Sequence, residues 1–290
     1  PNLVIGRAIR IMAEMTGVNI PESPSQEFWD TILPQLLEEK LTDPDIEAMS
    51  AFDYLVLDEA QDFLARPKLW RCLLQFLQGG IADGRFALLG DFEHQVLNNR
   101  ETMLAELEEI QTTARPVLWV LSENCRNYRI IGDTALILSG LAKSVYSGYR
   151  RVGGGLQNYD IFFYNDDVEQ MDKLKQWLRD FKTLGYISSE ITILSFRSNE
   201  SSAAARLRNA GYQLHPVRQA GEGPAYASVH SFKGLEDKII ILTDVKLTEQ
   251  DFHRDLFYTG MTRATECIRV LCDKESKEVL CGWLDEREEI

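Results

Sequence analysis

Two adjacent carboxylates close an apolar run in the stretch Tyr-Leu-Val-Leu-Asp-Glu-Ala-Gln-Asp, residues 54–62. An apolar run without polar alternation is typical of a buried parallel strand, because helices cover both of its faces. Asp58 and Glu59 would then emerge at the carboxyl edge of a sheet, where open α/β folds bind their ligands. One carboxylate can hold Mg²⁺ while its neighbour orients or deprotonates a water, as nucleoside triphosphate hydrolysis requires. An acidic strand-to-loop turn is the structural alternative.

Four more segments that mix apolar and functional residues follow downstream. They are LLGDFEHQ (88–95), LSENCRN (121–127), SVHSFKGLE (228–236) and LFYTGMTRA (256–264). Together with DEAQD they resemble, in order, motifs II to VI of the superfamily 1 helicases of the UvrD/Rep/RecB type. The resemblance implies an α/β fold with two RecA-like parallel-sheet domains, the first incomplete at its N-terminus, and a nucleotide cleft between them. It also implies an ATP- and Mg²⁺-dependent motor that acts on single-stranded DNA.

The first motif of that family has no counterpart in these 290 residues, because no Gly-Lys-Ser or Gly-Lys-Thr occurs. In the family, the backbone N–H groups and the lysine of that loop cradle the phosphates. We therefore expect the carboxyl-terminal part of a longer helicase, inactive alone, whose missing N-terminal segment carries the phosphate loop. The alternative is a non-catalytic subunit that completes an ATP site in trans or binds protein or nucleic acid. An ATP-dependent nuclease subunit would need a further domain.

Length and composition allow two ordinary domains, which we place at residues 1–121 and 122–290. No run of eighteen apolar residues occurs, so no membrane span is predicted and a cytoplasmic location is expected. Five cysteines without C-x-x-C spacing argue against a disulfide framework. Cys267, Cys272 and Cys281 are expected to be buried and reduced. The net charge of −14 argues against indiscriminate binding to polyanions.

Alternating apolar strands and amphipathic helices would position the motifs, as in other α/β proteins. Residues 1–50 look helical, and a helix is predicted near 128–142. The predicted strands are 53–57, 85–89, 117–121, 160–164, 191–196, 225–229, 238–243 and 267–272.

In the first predicted domain, the resemblance implies that Asp58 is associated with Mg²⁺ and that Glu59 is the hydrolytic base. Both carboxylates are therefore candidate metal ligands. Gln61, two residues after Glu59, would help couple the nucleotide state to the rest of this domain.

The segment LLGDFEHQ resembles the family pattern G-D-x-x-Q, in which the glutamine senses the γ-phosphate. Gly90 and Asp91 match the start of the pattern. His94 stands where the glutamine is expected, and Gln95 follows it. Either a small bulge brings Gln95 into position or His94 replaces it as a hydrogen-bond donor; we favour Gln95.

Two frames compete for the motif that usually reads Asn-Tyr-Arg. The literal match ends at Arg129, but the flanking apolar residues Leu121 and Ile131 fit better when the motif ends at Arg126. We choose Arg126, which the resemblance places at the γ-phosphate. Cys125 then replaces the tyrosine that stacks on adenine in the family.

The segment SVHSFKGLE resembles the family pattern T-x-H-x-x-K-G-L-E. The resemblance implies that Ser228 and His230 lie near the DNA backbone and that Glu236 contacts the ribose. Lys233 matches the pattern as a further candidate for DNA binding. Gly234 would allow a close backbone approach.

Arginines complete the predicted site. Arg263, in YTGMTRA, resembles the arginine that reaches the γ-phosphate from the second domain, a role suited to a planar and permanently charged donor. Arg197 lies in a locally cationic stretch with Arg206, Arg208 and Arg218. A cationic groove is what single-strand binding uses, so Arg197 is a further candidate DNA contact.

Overall fold

The computed structural model describes residues 3–21, 25, 27–45, 52–92, 99–141 and 146–288. The chain forms two compact units, Pro1–Trp119 and Val120–Ile290. The division lies two residues before the predicted boundary, and the assignment of these units to two helicase core domains stays a prediction. Within the described ranges, no helix combines the length and the apolar character needed to cross a bilayer.

The first unit is mainly helical around a short parallel pair of strands. Its strands are β1 (Leu55–Leu57) and β2 (Phe86–Leu88), with Leu57 opposite Leu88. Its helices are α1 (Leu3–Thr16), α2 (Leu33–Leu41), α3 (Gln61–Leu64), α4 (Pro67–Gln75), α5 (Gly80–Asp83) and α6 (Arg100–Ala114), with a π-helical turn at Phe28–Ile32. The core forms where buried side chains of α4 such as Trp70 pack with Phe63 and Leu57.

Two details of this unit differ from the sequence-based expectation. Val56, in the middle of β1, is exposed, so the apolar run is covered on one face only among the described residues. The predicted strand at 117–121 is wrong: these five apolar residues are exposed and have no regular secondary structure, and the next strand begins at Glu123. An apolar run becomes a strand only where a neighbouring strand pairs with its backbone, and no described strand pairs with this one.

The second unit is built on a six-stranded sheet in the order β5-β10-β9-β6-β8-β7, with every pair parallel. The α/β class with parallel sheets is thereby confirmed. The strands are β5 (Tyr159–Tyr164), β6 (Ile191–Ser195), β7 (His215–Pro216), β8 (Ala225–Ser228), β9 (Asp237–Val245) and β10 (Ala264–Asp273). A small parallel sheet pairs β3 (Glu123–Tyr128) with β4 (Gly148–Arg151).

The described part of this unit contains five α-helices. They are α7 (Arg129–Leu138), α8 (Asp167–Thr183), α9 (Ala203–Asn209), α10 (Asp251–Met261) and α11 (Ser276–Glu288). Helices α8 and α9 share a core cluster with Ile239 and Ile241 of β9. Helix α10 approaches the other face, since a Cβ atom at Gly260 would lie 2.9 Å from Leu242. Neighbouring residues of a strand point to opposite faces, so α9 and α10 cover opposite sides of the sheet.

The connections of β6 and β9, which are neighbours in the sheet, diverge. Both strands end at the same edge because they are parallel, but β6 leads to α9 and β9 leads to α10. Such a divergence of connections is where open α/β sheets bind ligands. The amino ends of β9 and β10 lie at the opposite edge of the sheet. The second unit therefore offers two separate edges for functional side chains.

The five cysteines are free, and their burial predicts their reactivity. Burial raises the pKa of Cys72 and Cys267 to about 11 and that of Cys272 to about 12, so thiolate forms are suppressed. Cys125 and Cys281 are exposed, which corrects the expected burial of Cys281.

We expect two thiols to react rapidly with Ellman's reagent at pH 8 and all five after denaturation. More than two rapid thiols, or a rapid fraction that survives replacement of Cys125 and Cys281 by serine, would contradict this burial.

Candidate functional site

The acidic site of the first unit begins where β1 ends. Asp58 is exposed, and its Oδ1 atom accepts the N–H of Glu59 at 3.0 Å. Glu59 has a φ of +53°, in the left-handed region that non-glycine residues rarely adopt outside turns and functional sites. Its Oε2 atom accepts a hydrogen bond of 2.7 Å from Gln61 Nε2. The two carboxylates are thus presented by a tight turn, and the second one is oriented by the glutamine.

Gln61 also links this turn to the end of β2. The side chain is fully buried, and among the described residues its Oε1 atom has no hydrogen-bond partner. A Cβ atom at Gly90 would lie 2.2 Å from that oxygen, so a larger residue there would displace Gln61 from Glu59. Asp91 follows Gly90 at the same edge of the sheet. Gln95 and the alternative His94 lie outside the described residues.

In the second unit, two residues assigned to the nucleotide by resemblance contact each other. Arg126 Nε donates to Glu236 Oε2 at 2.6 Å, across 110 positions of sequence. Arg129, which ends the competing frame, instead pairs with Asp133 on the surface of α7 at 3.3 Å. Of the two frames, only the chosen one places its arginine beside Glu236.

Arg263 lies at the same edge but is 1% exposed. Its Nε atom donates to the carbonyl of Thr259 at 3.2 Å, and its Nη1 atom donates to the carbonyl of Leu235 at 3.4 Å. The guanidinium is therefore held on backbone oxygens next to Glu236. In this conformation the guanidinium is buried inside the second unit, so a phosphate contact would require the side chain to turn outward.

Asn127 ties these groups together and was not assigned a role from the sequence. Its buried Nδ2 atom donates to the carbonyls of Thr262 at 2.9 Å and Ala264 at 2.6 Å, on either side of Arg263. Asn124 completes the clamp: its Nδ2 donates to Asn127 Oδ1, and its Oδ1 accepts the N–H of Arg126. The segment that carries Arg126 is thus fixed to the segment that carries Arg263. In the sequence, the only indication of this role is that Asn124 and Asn127 lie on either side of Arg126.

The residues expected to bind DNA lie mostly at the carboxyl edge of the six-stranded sheet. Ser228 ends β8, where its Oγ atom bonds Ser231 at 2.9 Å, and His230 follows. Arg197 follows β6, and its side chain is 44% exposed. Lys233 is buried within the connection to β9. Gly234 has a φ of +80°, which a side chain would oppose.

The two predicted sets are therefore separated within the second unit. Glu236 precedes β9 at the amino edge, whereas β9 itself runs nine residues to the carboxyl edge, a span of about 26 Å. The residues that the resemblance assigns to the nucleotide lie at one edge of the sheet, and most of those that it assigns to DNA lie at the other.

A second residue that sequence reasoning missed stabilises the carboxyl edge. Asp244 is buried and adopts a φ of +56°. Its Oδ2 atom accepts hydrogen bonds from Ser195 Oγ at 2.7 Å and from the N–H of Ala203 at 2.8 Å, and its Oδ1 atom pairs with Arg206 at 3.0 Å. This carboxylate joins the ends of β6 and β9 to the start of α9. Nothing in the sequence distinguishes it from other acidic residues.

Comparison with known proteins identifies the segment that holds most of these residues. Residues 225–271 match the family described as UvrD-like helicase C-terminal domain. The resemblance predicted from the sequence is thereby confirmed for the carboxyl-terminal portion of the chain. The matched segment contains Ser228, His230, Glu236 and Arg263. The chain thus carries a helicase-related module of UvrD type.

Solved structures show weaker likeness. One is the C-terminal domain of a possible DNA helicase from Lactobacillus plantarum WCFS1, with 17% identity, a TM-score of 0.41, and coverage of 51% of this chain and 87% of that chain. Another is a variant of S. cerevisiae Dbp5 bound to RNA and ADP BeF3, with 12% identity, a TM-score of 0.47, and coverage of 93% and 67%. Neither likeness is strong enough to indicate what this chain binds. None of the curated proteins matches the sequence.

The Asn127 clamp can be tested by its contribution to stability. Asn127→Ala would remove two buried hydrogen bonds and leave the carbonyls of Thr262 and Ala264 without a donor, which costs about 2–3 kcal/mol. We expect the amides of β9 and β10 to exchange about 30- to 150-fold faster in native-state hydrogen exchange.

Asn209→Ala is the matched control, because Asn209 is exposed at the end of α9. Its effect should stay within about 0.5 kcal/mol. Equal exchange rates in the two variants would show that the clamp does not stabilise this sheet.

Proposed function

We propose that the chain is part of an ATP-dependent DNA helicase or translocase that acts on single-stranded DNA. The observation that carries this proposal is the assembly of Arg126, Glu236 and Arg263 at one edge of the second sheet. Arg126 and Glu236 are 110 residues apart in sequence, and Asn127 and Thr262, which the clamp joins, are 135 residues apart. Two cations and one carboxylate converge there, and these groups suit the phosphates and the ribose of a nucleotide.

The first unit would supply the metal-dependent half of the chemistry. Asp58 and Glu59 offer hard oxygen donors at a strand end, and Mg²⁺ commonly uses one or two carboxylates together with phosphate oxygens. When bound, Mg²⁺ would neutralise charge that develops on the phosphates. Glu59, held by Gln61, would orient or deprotonate the attacking water. No group of three candidate metal-ligating side chains occurs among the described residues, so a metal site there would need oxygens from the nucleotide or water.

Nucleotide-driven movement would follow from the two edges of the second sheet. Arg126 and Arg263 would respond to the charge of the terminal phosphate at the amino edge, while Ser228, His230 and Arg197 would hold a DNA backbone at the carboxyl edge. Lys233 and Gly234 lie on the connection that runs from the DNA contacts to Glu236. Changes at one edge would therefore reach the other through a short covalent path as well as through the sheet.

One sequence feature favours a second function. The 290 residues contain no Gly-Lys-Ser or Gly-Lys-Thr, so nothing in them replaces the phosphate loop. A non-catalytic subunit that completes an ATP site held partly on another chain, or that binds protein or nucleic acid, would need no loop of its own.

Phosphate release from Mg·ATP, with and without single-stranded DNA, separates these proposals. We expect no hydrolysis from this chain alone and DNA-stimulated hydrolysis from a longer protein that adds an upstream phosphate loop. In the longer protein, Arg126→Ala should lower kcat about 10³-fold, as loss of an arginine that stabilises transferred phosphoryl charge does.

Arg129→Ala is the matched control, since Arg129 is an exposed arginine three residues away that pairs with Asp133. Its activity should equal that of the wild type. Loss of activity in this variant alone would show that the other frame is correct. If neither wild-type protein hydrolysed ATP, the motor function would be contradicted and the non-catalytic subunit would be favoured.

A further inference from the structure

Asp244, near the carboxyl end of β9, combines a strained backbone with a buried charge. Its φ of +56° lies in the left-handed region, which residues with a Cβ atom avoid and which aspartate and asparagine tolerate best. Its side chain is 0% exposed. Burial of a carboxylate is unfavourable unless cations and hydrogen-bond donors compensate it. Strain of this kind is concentrated at functional positions, so the contacts of this carboxylate indicate what it does.

The two carboxylate oxygens of Asp244 have different kinds of partner. Oδ2 accepts the hydroxyl of Ser195 at 2.7 Å and the N–H of Ala203 at 2.8 Å, so it holds the end of β6 and the start of α9. Oδ1 faces two guanidinium groups, that of Arg206 at 3.0 Å and that of Arg197 at 3.9 Å. One oxygen therefore stabilises the fold, and the other attracts cations.

The two arginines differ in what they do for this carboxylate. Arg206 compensates its charge: Nη2 donates to Asp244 and to Gln170, and Nη1 pairs with Asp167 of α8 at 3.3 Å. The side chain of Arg197 is 44% exposed, and its Nη1 atom is too far from Oδ1 for a hydrogen bond. Such a contact orients the guanidinium but uses none of its five N–H donors, which an external phosphate can accept.

The backbone of Arg197 depends on the same carboxylate. Ser195 Oγ, which donates to Asp244, accepts the N–H of Arg197 at 2.9 Å. A hydroxyl that donates to a carboxylate becomes a stronger acceptor, because linked hydrogen bonds polarise one another. The N–H of Phe196 also donates to the carbonyl of Thr243 at 3.2 Å, next to Asp244. Asp244 therefore influences both the backbone and the guanidinium of Arg197.

We propose that Asp244 is a positioning residue that orients Arg197 toward a phosphate of single-stranded DNA. An arginine that is oriented before binding loses less side-chain entropy when it contacts a phosphate. The inference rests on the proposed function and extends it, because none of the sequence motifs contains Asp244. It predicts that removal of a negative charge beside the DNA site weakens DNA binding, whereas the change in charge alone would strengthen it.

The test measures binding of fluorescently labelled oligothymidylate to this chain by anisotropy, at up to about 100 μM protein, the weak end of non-specific affinities. Asp244→Asn is the central variant, since asparagine tolerates a positive φ. Its amide oxygen can replace Oδ2 and keep the bonds to Ser195 and Ala203, while its amide nitrogen then faces the two arginines and no longer attracts them. We expect Kd to rise about 5-fold, because an arginine without orientation keeps part of its attraction for phosphate.

Asp167→Asn is the matched control. It removes an equal charge from the other side of Arg206 and leaves the contact of Asp244 with Arg197 in place. Its Kd should stay within about 2-fold of the wild-type value, as expected for an exposed ion pair. Arg197→Ala should raise Kd about 10-fold, as loss of one charge-assisted hydrogen bond does. Addition of Asp244→Asn to Arg197→Ala should weaken binding no further, because the carboxylate acts through the arginine.

Asp244→Gly is a second variant that removes the carboxylate. Glycine adopts a positive φ without strain, so this substitution relieves the backbone. Its Kd should also rise at least about 5-fold, because Arg197 again loses its partner. Circular dichroism melts would establish that each variant is folded at the temperature of the titration.

Each outcome decides a different question. An unchanged or lower Kd in Asp244→Asn, or an equal rise in Asp167→Asn, would overturn the positioning role while DNA binding stands. A further loss in the double variant would show that Asp244 affects binding without Arg197, and would overturn that role as well. No binding by the wild type would overturn the DNA-binding part of the proposed function and this inference with it.

Discussion

The buried amide of Asn127 is the interaction on which the geometry of the second unit depends. It donates to the carbonyls on both sides of Arg263 and so fixes the small β3–β4 sheet to the start of β10. Arg151 supports the same junction, because it donates to the carbonyl of Arg126 and pairs with Glu266 of β10. A buried amide that loses its partners costs more than a new contact gains, so this junction has one favourable arrangement. The positions of Arg126 and Arg263 follow from it.

The central strands then determine how the two edges of this unit communicate. Ile239 to Val245 of β9 are fully or almost fully buried between helices on both faces, and packed cores of this kind transmit displacement with little compression. At the carboxyl end, Asp244 joins β6, β9 and α9 because it accepts hydrogen bonds from Ser195, Ala203, Arg206 and Thr243. The carboxyl end of β9 is therefore held in place by a buried carboxylate.

Sequence reasoning succeeded where a residue's role depends on local pattern. The apolar runs ending at Leu194 and Val245 are strands, because strands buried on both faces need continuous apolar side chains. The same pattern failed at 117–121, since pairing partners are not encoded in the run itself. The contact of Arg126 with Glu236 and the stack of Phe252 on His230 could not be predicted either, because each joins residues that only the tertiary fold brings together.

The contact of Arg126 with Glu236 also bears on how the predicted site would bind a nucleotide. Both side chains are partly exposed, so their ion pair contributes only about 0–1 kcal/mol. An interaction this weak is too small to oppose a nucleotide, whose phosphates and ribose would offer each side chain a better partner. Arg263 differs, because it is buried on two backbone carbonyls and would have to break both bonds to reach a phosphate. If the proposed function is correct, the exposed arginine would engage the nucleotide first and the buried one second.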